Sequence, residues 1–469
     1  MMVWYLVLLF ISSTLGIFQV FSIGDFGLVP QEAVMGLLYI IVPARMILTG
    51  KPLRIPTGPL LTANLALVGV ITLSALLTVV FGTTEMMVQS LKTWAHFLFI
   101  WGAAMLLWWY PIEATQWIKA LKVHFVLAFL ICVFAAYQLA ARAFELPLAW
   151  IEITNASYKK GAQDPDAVVQ LALSFSNFYR ATSIFSEPSS LAIYAGMNLS
   201  MLLAAFFRGS TAIIRSRWFF IASMLVAVLA MFLAFSLTGI MVVSVTLVLL
   251  SILYGTAALR RLLPFLLIII AVIGISDRVV NAVVDVSVVE LFATRIESLV
   301  TGRAQAEESG AIVGESVTQR TGDYRVSFEA WQEAPVLGVG PGNFGNSVAA
   351  RYYNSRYPST TYGSVLSELG LVGLVVLVLF FATMLRESLR VGRYGGPDAS
   401  DVSILTPILS VIALIVIFVA FNSNLLVSAY FWLYVALICS GIAAADRQAG
   451  TEHAITIGMH PLDPHAAHH

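Results

Sequence analysis

Charge is scarce in this sequence: Asp, Glu, Lys and Arg make up 11% of its 469 residues, while 59% are hydrophobic. Soluble domains run at roughly 25% charged and 45–50% apolar, so an ordinary water-soluble fold is excluded. Net charge is lacking too, because 26 basic residues balance 26 acidic ones, and bulk electrostatics give no reason to expect nucleic acid or another polyanion as partner. Cysteine is nearly absent. Cys132 and Cys439 both lie inside apolar runs and read as small buried hydrophobes rather than a disulfide or metal pair. The first apolar stretch, from Met2, has no basic segment before it and no small-residue cleavage site after it, so it reads as a retained helix and not as a removed signal peptide. There is no repeat of fixed period and no low-complexity tract.

What the sequence has in abundance is long apolar runs. A bilayer core of about 30 Å needs roughly 20 apolar residues per helix, and such runs occupy Met2 to Phe21, Val29 to Leu48, Gly58 to Phe81, Met87 to Trp109, Trp117 to Ala140 and Pro188 to Phe207. They continue over Trp218 to Leu237, Ile240 to Gly255, the short Leu263 to Ser276, Thr361 to Met384, Ile404 to Phe421 and Leu425 to Ala445. The fold class expected is an all-α polytopic membrane protein of about 12 transmembrane helices.

Orientation follows from the basic residues of the short connections. Lys51 and Arg54, Lys119 and Lys122, Arg208 with Arg215 and Arg217, Arg260 with Arg261, and Arg386, Arg390 and Arg393 fall in alternate loops, which are expected to face the cytoplasm. An even number of spans puts both termini there, in agreement with Arg447 after the last span. On the other side two connections are long, 142–187 between the fifth and sixth spans and 277–360 between the ninth and tenth. Segments this polar must fold above the bilayer or against the bundle, so the reading is one transmembrane catalytic domain over 1–445, two outer loops within it, and a disordered cytoplasmic tail over 446–469.

The second outer loop carries Arg320, Arg325, Arg351 and Arg356, and then Pro335-Val336-Leu337-Gly338-Val339-Gly340-Pro341-Gly342-Asn343-Phe344. Gly340 to Gly345 fits the dinucleotide pattern G-x-G-x-x-G, but no strand precedes it and Pro341 interrupts it, so a nucleotide site is rejected in favour of a glycine turn. In the first outer loop Arg180 stands in Tyr179-Arg180-Ala181-Thr182-Ser183-Ile184-Phe185-Ser186-Glu187-Pro188, where the structural alternative is a helix-cap ion pair with Glu187. Lys92 lies inside the fourth span, where a charge costs about 2.5–3.5 kcal/mol on insertion scales and usually serves a purpose; the alternative is that it snorkels outward. Asp164-Pro165-Asp166 resembles a metal-binding acidic pair, and reads more simply as a turn.

The ordered set Arg320-Thr321-Gly322-Asp323-Tyr324, a helical segment with Trp331, the Pro335-to-Phe344 turn and Leu366-Ser367-Glu368-Leu369-Gly370-Leu371-Val372-Gly373 resembles the signature of the O-antigen ligase and O-antigen polymerase family. The span count, the long connection between spans nine and ten, Phe431-Trp432 in the last span, and an Arg-x-x-Gly-x-Phe-x-x-Pro lead-in at Arg180 (with Ser183 in place of glycine) are also similar, so the likeness covers nearly the whole chain. The resemblance implies a GT-C-like architecture in the bacterial inner membrane, with a large, mostly helical loop and an active site on the periplasmic face. Its substrate would be a glycan on polyprenyl-pyrophosphate, transferred to an acceptor glycan or to lipid A core with inversion and without a cofactor or metal. Other polysaccharide-assembly proteins and membrane lipids are the further partners it implies; nucleic acid is not one.

By position in that pattern Arg320 and Arg180 are expected at the reaction, with Arg325, Lys92, Tyr324, Arg351 and Arg356 toward the pyrophosphate and glycan. Guanidinium forks suit a diphosphate leaving group because they bind its oxygens through paired, charge-assisted hydrogen bonds. The attacking hydroxyl benefits from a general base. Family ligases carry histidine and asparagine before the tenth span, but Ser359 and Thr360 stand there, and neither long outer loop holds a histidine. Glu187, Asp323 and Glu368 are therefore the candidate bases, and His96 and His124 read as helix-core residues. The missing histidine tilts the expectation toward a polymerase over a ligase. A lipid-linked oligosaccharide transporter is the alternative from another class, disfavoured because the length and the arginines are concentrated outside the membrane.

Overall fold

The computed structural model describes residues 2–23, 26–50, 52–155, 170, 174–175, 178–207, 213–214, 216–255, 260, 263–284, 287, 289–290, 293–294, 297, 305–306, 312–313, 315–355, 357–392, 401–421 and 423–456. Among them the chain is helical: α1 (Met2–Ser13), α2 (Pro30–Gly36), α3 (Leu38–Thr49), α4 (Pro59–Phe81), α5 (Thr84–Trp109), α6 (Ala114–Ala143), α7 (Pro188–Phe207), α8 (Arg217–Leu233), α9 (Leu237–Tyr254) and α10 (Leu263–Val284). Then follow α11 (Glu315–Glu333), α12 (Val348–Tyr352), α13 (Thr361–Gly392), α14 (Asp401–Val419) and α15 (Ala429–Thr456). The strands are short antiparallel pairs, Phe21–Ile23 with Phe26–Leu28, Ser174–Phe175 with Phe178–Tyr179, and Gln305–Ala306 with Ile312–Val313.

Nine helices, counting α2 and α3 together as Pro30–Thr49, are long and apolar enough to cross a membrane among the described residues. Met2–Ser13 and Arg217–Leu233 are shorter apolar helices. Proline opens α4 and α7 at positions where its missing N–H has no helical partner to lose. The bundle interior is formed by α7, α14 and α15, each 83% buried over its apolar window, whereas α4, α5 and α6 turn much of their apolar surface outward, as helices facing lipid do.

Several boundaries differ from the sequence reading. The first helix stops at Ser13, not Phe21, because the hydroxyls of Ser12, Ser13 and Thr14 bond back to the carbonyls of Leu9, Phe10 and Ile11 at 3.0, 2.7 and 2.8 Å, and the chain then turns into the first strand pair. The ninth run extends past Ser276 to Val284, so Asp277 lies within α10, where its carboxylate accepts the Val289 N–H at 3.0 Å. The last helix continues past Ala445 to Thr456. Its exit is pinned by Asp446, which receives a two-pronged bond from Arg390 at 2.9 and 2.8 Å, and by Arg447, which donates to the Ile112 carbonyl at 2.8 Å.

Candidate active site

Helix α13 is broken at Gly370, whose φ of 67° and ψ of −166° are not helical. A break there leaves the carbonyls of Ser367 and Glu368 and the amides of Leu371 and Val372 without their helical partners. The glycine turn after α11 supplies replacements. Val339 and Gly340 donate to the Ser367 and Glu368 carbonyls, each at 3.0 Å, while Leu371 and Val372 donate to the carbonyls of Pro335 and Val336 at 2.9 and 3.2 Å. The fit admits no side chain at two points. A Cβ on Gly338 would lie 2.1 Å from the Glu368 carbonyl carbon, and one on Gly370 would lie 2.4 Å from that of Val336. Both glycines also sit at positive φ. The turn that resembles a nucleotide loop in the sequence is a plug for a broken membrane helix.

This joint aims Glu368. One carboxylate oxygen accepts the Gly342 N–H at 2.9 Å, and the Ser74 hydroxyl of α4 holds the Leu337 and Glu368 carbonyls at 2.9 and 3.2 Å. Asn343, fully buried, donates to Ser90 Oγ and the Met86 carbonyl of α5 at 2.9 and 3.1 Å. Glu368 faces a cavity of about 180 Å³ whose polar lining includes Gln89, Thr93, Tyr357 and Asn424. Lys92 is adjacent in sequence to that wall but is exposed on another face of α5 and does not line the cavity.

Asp323, on α11, accepts a short hydrogen bond from the Ser359 hydroxyl. Thr360 caps α13 by accepting the Gly363 N–H at 3.1 Å. A carboxylate thus stands beside Ser359, which occupies the position where the resemblance expects a histidine. Tyr324 reaches across to the Phe421 carbonyl at 3.1 Å. Arg325 is exposed; it bonds Glu329 at 2.9 Å and lies 5.7 Å from the centre of the Tyr353 ring, and the Glu329 bond raises its already high pKa. Arg351 is exposed at the end of α12. The backbone of Arg320 lies in α11. Arg356, Asp164 and Asp166 lie outside the described residues.

The Arg180 segment is organised by a residue that enters the sequence reading only as a loop boundary. Arg142, buried at the end of α6, donates from Nε to the Ala149 carbonyl at 2.9 Å and from Nη2 to Gln170 and Thr182 at 3.0 and 2.7 Å. Its Nη1 makes a short bond to the Arg180 carbonyl, and the guanidinium lies 4.2 Å from the centre of the Trp150 ring. Gln138, one turn earlier, accepts the N–H groups of Thr182 and Ser183 at 3.0 and 2.7 Å. Ser183 has a φ of +52°, a conformation that explains why glycine suits the family pattern at this point. Arg180 itself is buried, with Nη1 3.4 Å from the Phe235 carbonyl, and Glu187 is exposed and accepts from Ser190 at 3.3 Å in the first turn of α7. Gln138 and Arg142 are polar residues within an apolar helix, and that was the signal by which sequence reasoning could have found them.

His96 pairs with Glu32 at 2.7 Å and His124 is buried in the bundle, and neither lines the cavity beside Glu368. Among the described residues no group of three or more His, Cys, Asp or Glu side chains is placed to hold a metal ion.

No curated protein matches the chain. Residues 222–378, which run from α8 through the glycine turn and the break in α13, match the family described as O-antigen ligase. That stretch contains the ordered motifs from Arg320 to Gly373, and over it the chain is similar to the O-antigen ligase family.

Proposed function

We propose that this protein is a polysaccharide polymerase of the bacterial inner membrane, transferring a glycan from polyprenyl-pyrophosphate to a hydroxyl of a second lipid-linked repeat on the periplasmic face. The observation that carries the reading is the Glu368 carboxylate held on a cavity wall by the Gly342 N–H, at the start of α13. In a chain of some 12 crossings, each short turn reverses direction, so the start of α13, the start of α7 and the end of α6 share one face. Arg180 and Glu368 then serve the same compartment, and the basic turns on the other face make that compartment the periplasm with both termini in the cytoplasm. The catalytic domain spans 1–445, with its outer loops at 142–187 and 277–360.

In the proposed reaction the bond between the anomeric carbon and the pyrophosphate oxygen breaks as the acceptor oxygen attacks from the opposite face, which inverts the centre. Arg180 and Arg320 take up the negative charge that develops on the leaving diphosphate, as paired charge-assisted donors do without a metal. Arg351, exposed at the end of α12, and Arg356 are assigned to the glycan, and Arg325, tied to Glu329, contributes less. The hydroxyl proton passes to a carboxylate, either Glu368 on the cavity or Asp323 beside Ser359. An apolar groove of about 310 Å³ between α6, α8 and α10, lined by Leu139, Leu229, Leu233 and Ile275 and bounded by Arg142 and Tyr179, suits the hydrocarbon of a lipid-linked donor.

The absence of a histidine at Ser359 and Thr360 favours polymerase over a ligase acting on lipid A core. Purified protein given defined lipid-linked repeat units should yield longer lipid-linked chains. Transfer only to lipid A core would make it a ligase, and no covalent product with movement of the repeat across the bilayer would make it a transporter.

A further inference from the structure

Six polar atoms in the bundle interior are buried with no partner in full hydrogen-bond geometry, although His124 and Tyr194 both face Asn198 and Tyr430 faces Tyr434: both ring nitrogens of His124, the hydroxyls of Tyr194, Tyr430 and Tyr434, and the side-chain oxygen of Asn198. They come from three helices, α6, α7 and α15, and they gather in one place. The His124 ring is 5.7 Å from that of Tyr194 and edge-on to it, Tyr430 and Tyr434 are 4.7 Å apart, and Phe10 touches both ends of the group, at 4.7 Å from His124 and 6.4 Å from Tyr434. Asn198 uses its amide hydrogen on the Tyr194 carbonyl at 2.8 Å, which leaves its oxygen for another donor.

The placement is ordered along the membrane. Tyr430 lies in the first turn of α15 with Tyr434 one turn on, and Tyr194 lies in the second turn of α7 with Asn198 one turn deeper. Phe185, in the segment that follows Arg180, roofs the group at 5.1 Å from Tyr194. His124, Tyr194, Tyr434 and Asn198 are each no more than 2% exposed.

Apolar residues of the same shape, phenylalanine and leucine, would fill these positions without leaving polar atoms unpaired. A buried polar group without a well-formed hydrogen bond is costly to keep, so a cluster of them in one place calls for a further partner. Tyrosine and neutral histidine each combine a donor with an acceptor, and the Asn198 oxygen accepts, so the group is able to hold a small ligand that both gives and takes hydrogen bonds. Buried water is such a ligand and typically makes about three bonds to groups of this kind. We propose that His124, Asn198, Tyr194, Tyr430 and Tyr434 form an intramembrane hydration site, where bound water joins α6, α7 and α15 beneath the Arg180 segment. Through it His124 exchanges its proton with water although its side chain is fully enclosed.

Brief radiolysis of the full chain in lipid nanodiscs generates hydroxyl radicals from bound as well as bulk water and marks the side chains beside them. Oxidation at Tyr194 and Tyr434 should exceed that at Tyr5, a slightly more exposed tyrosine whose hydroxyl is taken by the Val34 carbonyl at 2.6 Å. Labelling no greater than at Tyr5 overturns the proposal. A second measurement is the melting temperature of Tyr434→Phe and Tyr194→Phe, which should each fall by about 2–4 °C as the water loses a partner. A Tm that holds or rises is the signature of a dry, unpaired hydroxyl and overturns it equally. Neither readout depends on glycan transfer, so both stand whatever reaction the outer site performs.

Discussion

The Arg142 guanidinium donates to the backbone carbonyl of Arg180, 38 residues further along the chain, and thereby fixes the lead-in to α7 against the end of α6. The same side chain also gathers Ala149, Gln170 and Thr182, so one charge organises three separate stretches of the first outer loop. Among the described residues no carboxylate balances it, and its hydrogen-bond acceptors are carbonyls, an amide and a hydroxyl.

Replacing Arg142 with alanine strands those acceptors. The expected loss is about 3 kcal/mol or more of stability, read as a lower melting temperature in detergent, together with loss of transfer activity. Arg142→Lys keeps the charge but not the planar fork, so it should restore part of the stability and little of the activity. Wild-type melting and turnover in both variants would show that Arg142 does not position the Arg180 segment.

Gly338→Ala and Gly370→Ala each push a Cβ into backbone of the opposing segment, within 2.1 and 2.4 Å of a carbonyl carbon respectively. Each also forces a side chain into a left-handed conformation, at a cost of about 1–3 kcal/mol before the clash is counted. Both variants should accumulate poorly or melt early. The Gly322→Ala substitution, where a Cβ would meet nothing within 4 Å, is the matched control and should behave as wild type.

Glu368→Gln retains an oxygen to accept the Gly342 N–H and so keeps the joint intact while removing the carboxylate. If Glu368 takes the proton, turnover should fall by about 10²–10⁴-fold with little change in melting temperature. Asp323→Asn makes the parallel test beside Ser359. A large fall in only one of the pair identifies the base, and near-normal turnover in both would remove these two carboxylates from that role.

Arg180→Ala and Arg320→Ala should abolish polymer while leaving expression and insertion intact, and Arg325→Ala, whose side chain is exposed and paired with Glu329, should cost far less. Cells carrying either of the first two substitutions and making chains of normal length would refute the assigned roles.

Chelators should leave turnover unchanged, since the proposed charge stabilisation comes from guanidinium groups. Chelator-sensitive turnover restored by a divalent ion would instead direct attention to Asp164 and Asp166.

Much of the helix plan was legible because lipid imposes one rule on every crossing: the run must be long, apolar and internally hydrogen-bonded. Pro188–Phe207 and the start of α13 at Thr361 coincide with the sequence boundaries for that reason. Boundaries failed where a side chain, not hydropathy, sets the end, as with the hydroxyls that stop α1 at Ser13 and the Arg390–Asp446 bond that holds α15 beyond Ala445. For the candidate site, residue types were all the sequence offered. The sequence pointed to Glu368 and to Asp323, but not to the Gly342 amide that holds the first or the Ser359 hydroxyl that meets the second.

Composition and apolar run length alone determine that this chain is a helical membrane protein, and the order of its arginine, glycine and acidic motifs carries its likeness to the O-antigen ligase family. Only the tertiary structure decides that the glycine turn mends a broken helix, that Arg142 anchors the Arg180 segment, and that His124 shares a buried polar cluster with three tyrosines. The physical reason is that crossing a membrane is a property of each segment by itself. Hydrogen bonds between residues hundreds of positions apart, such as Ser74 with Leu337 and Ser90 with Asn343, exist only once the helices have packed.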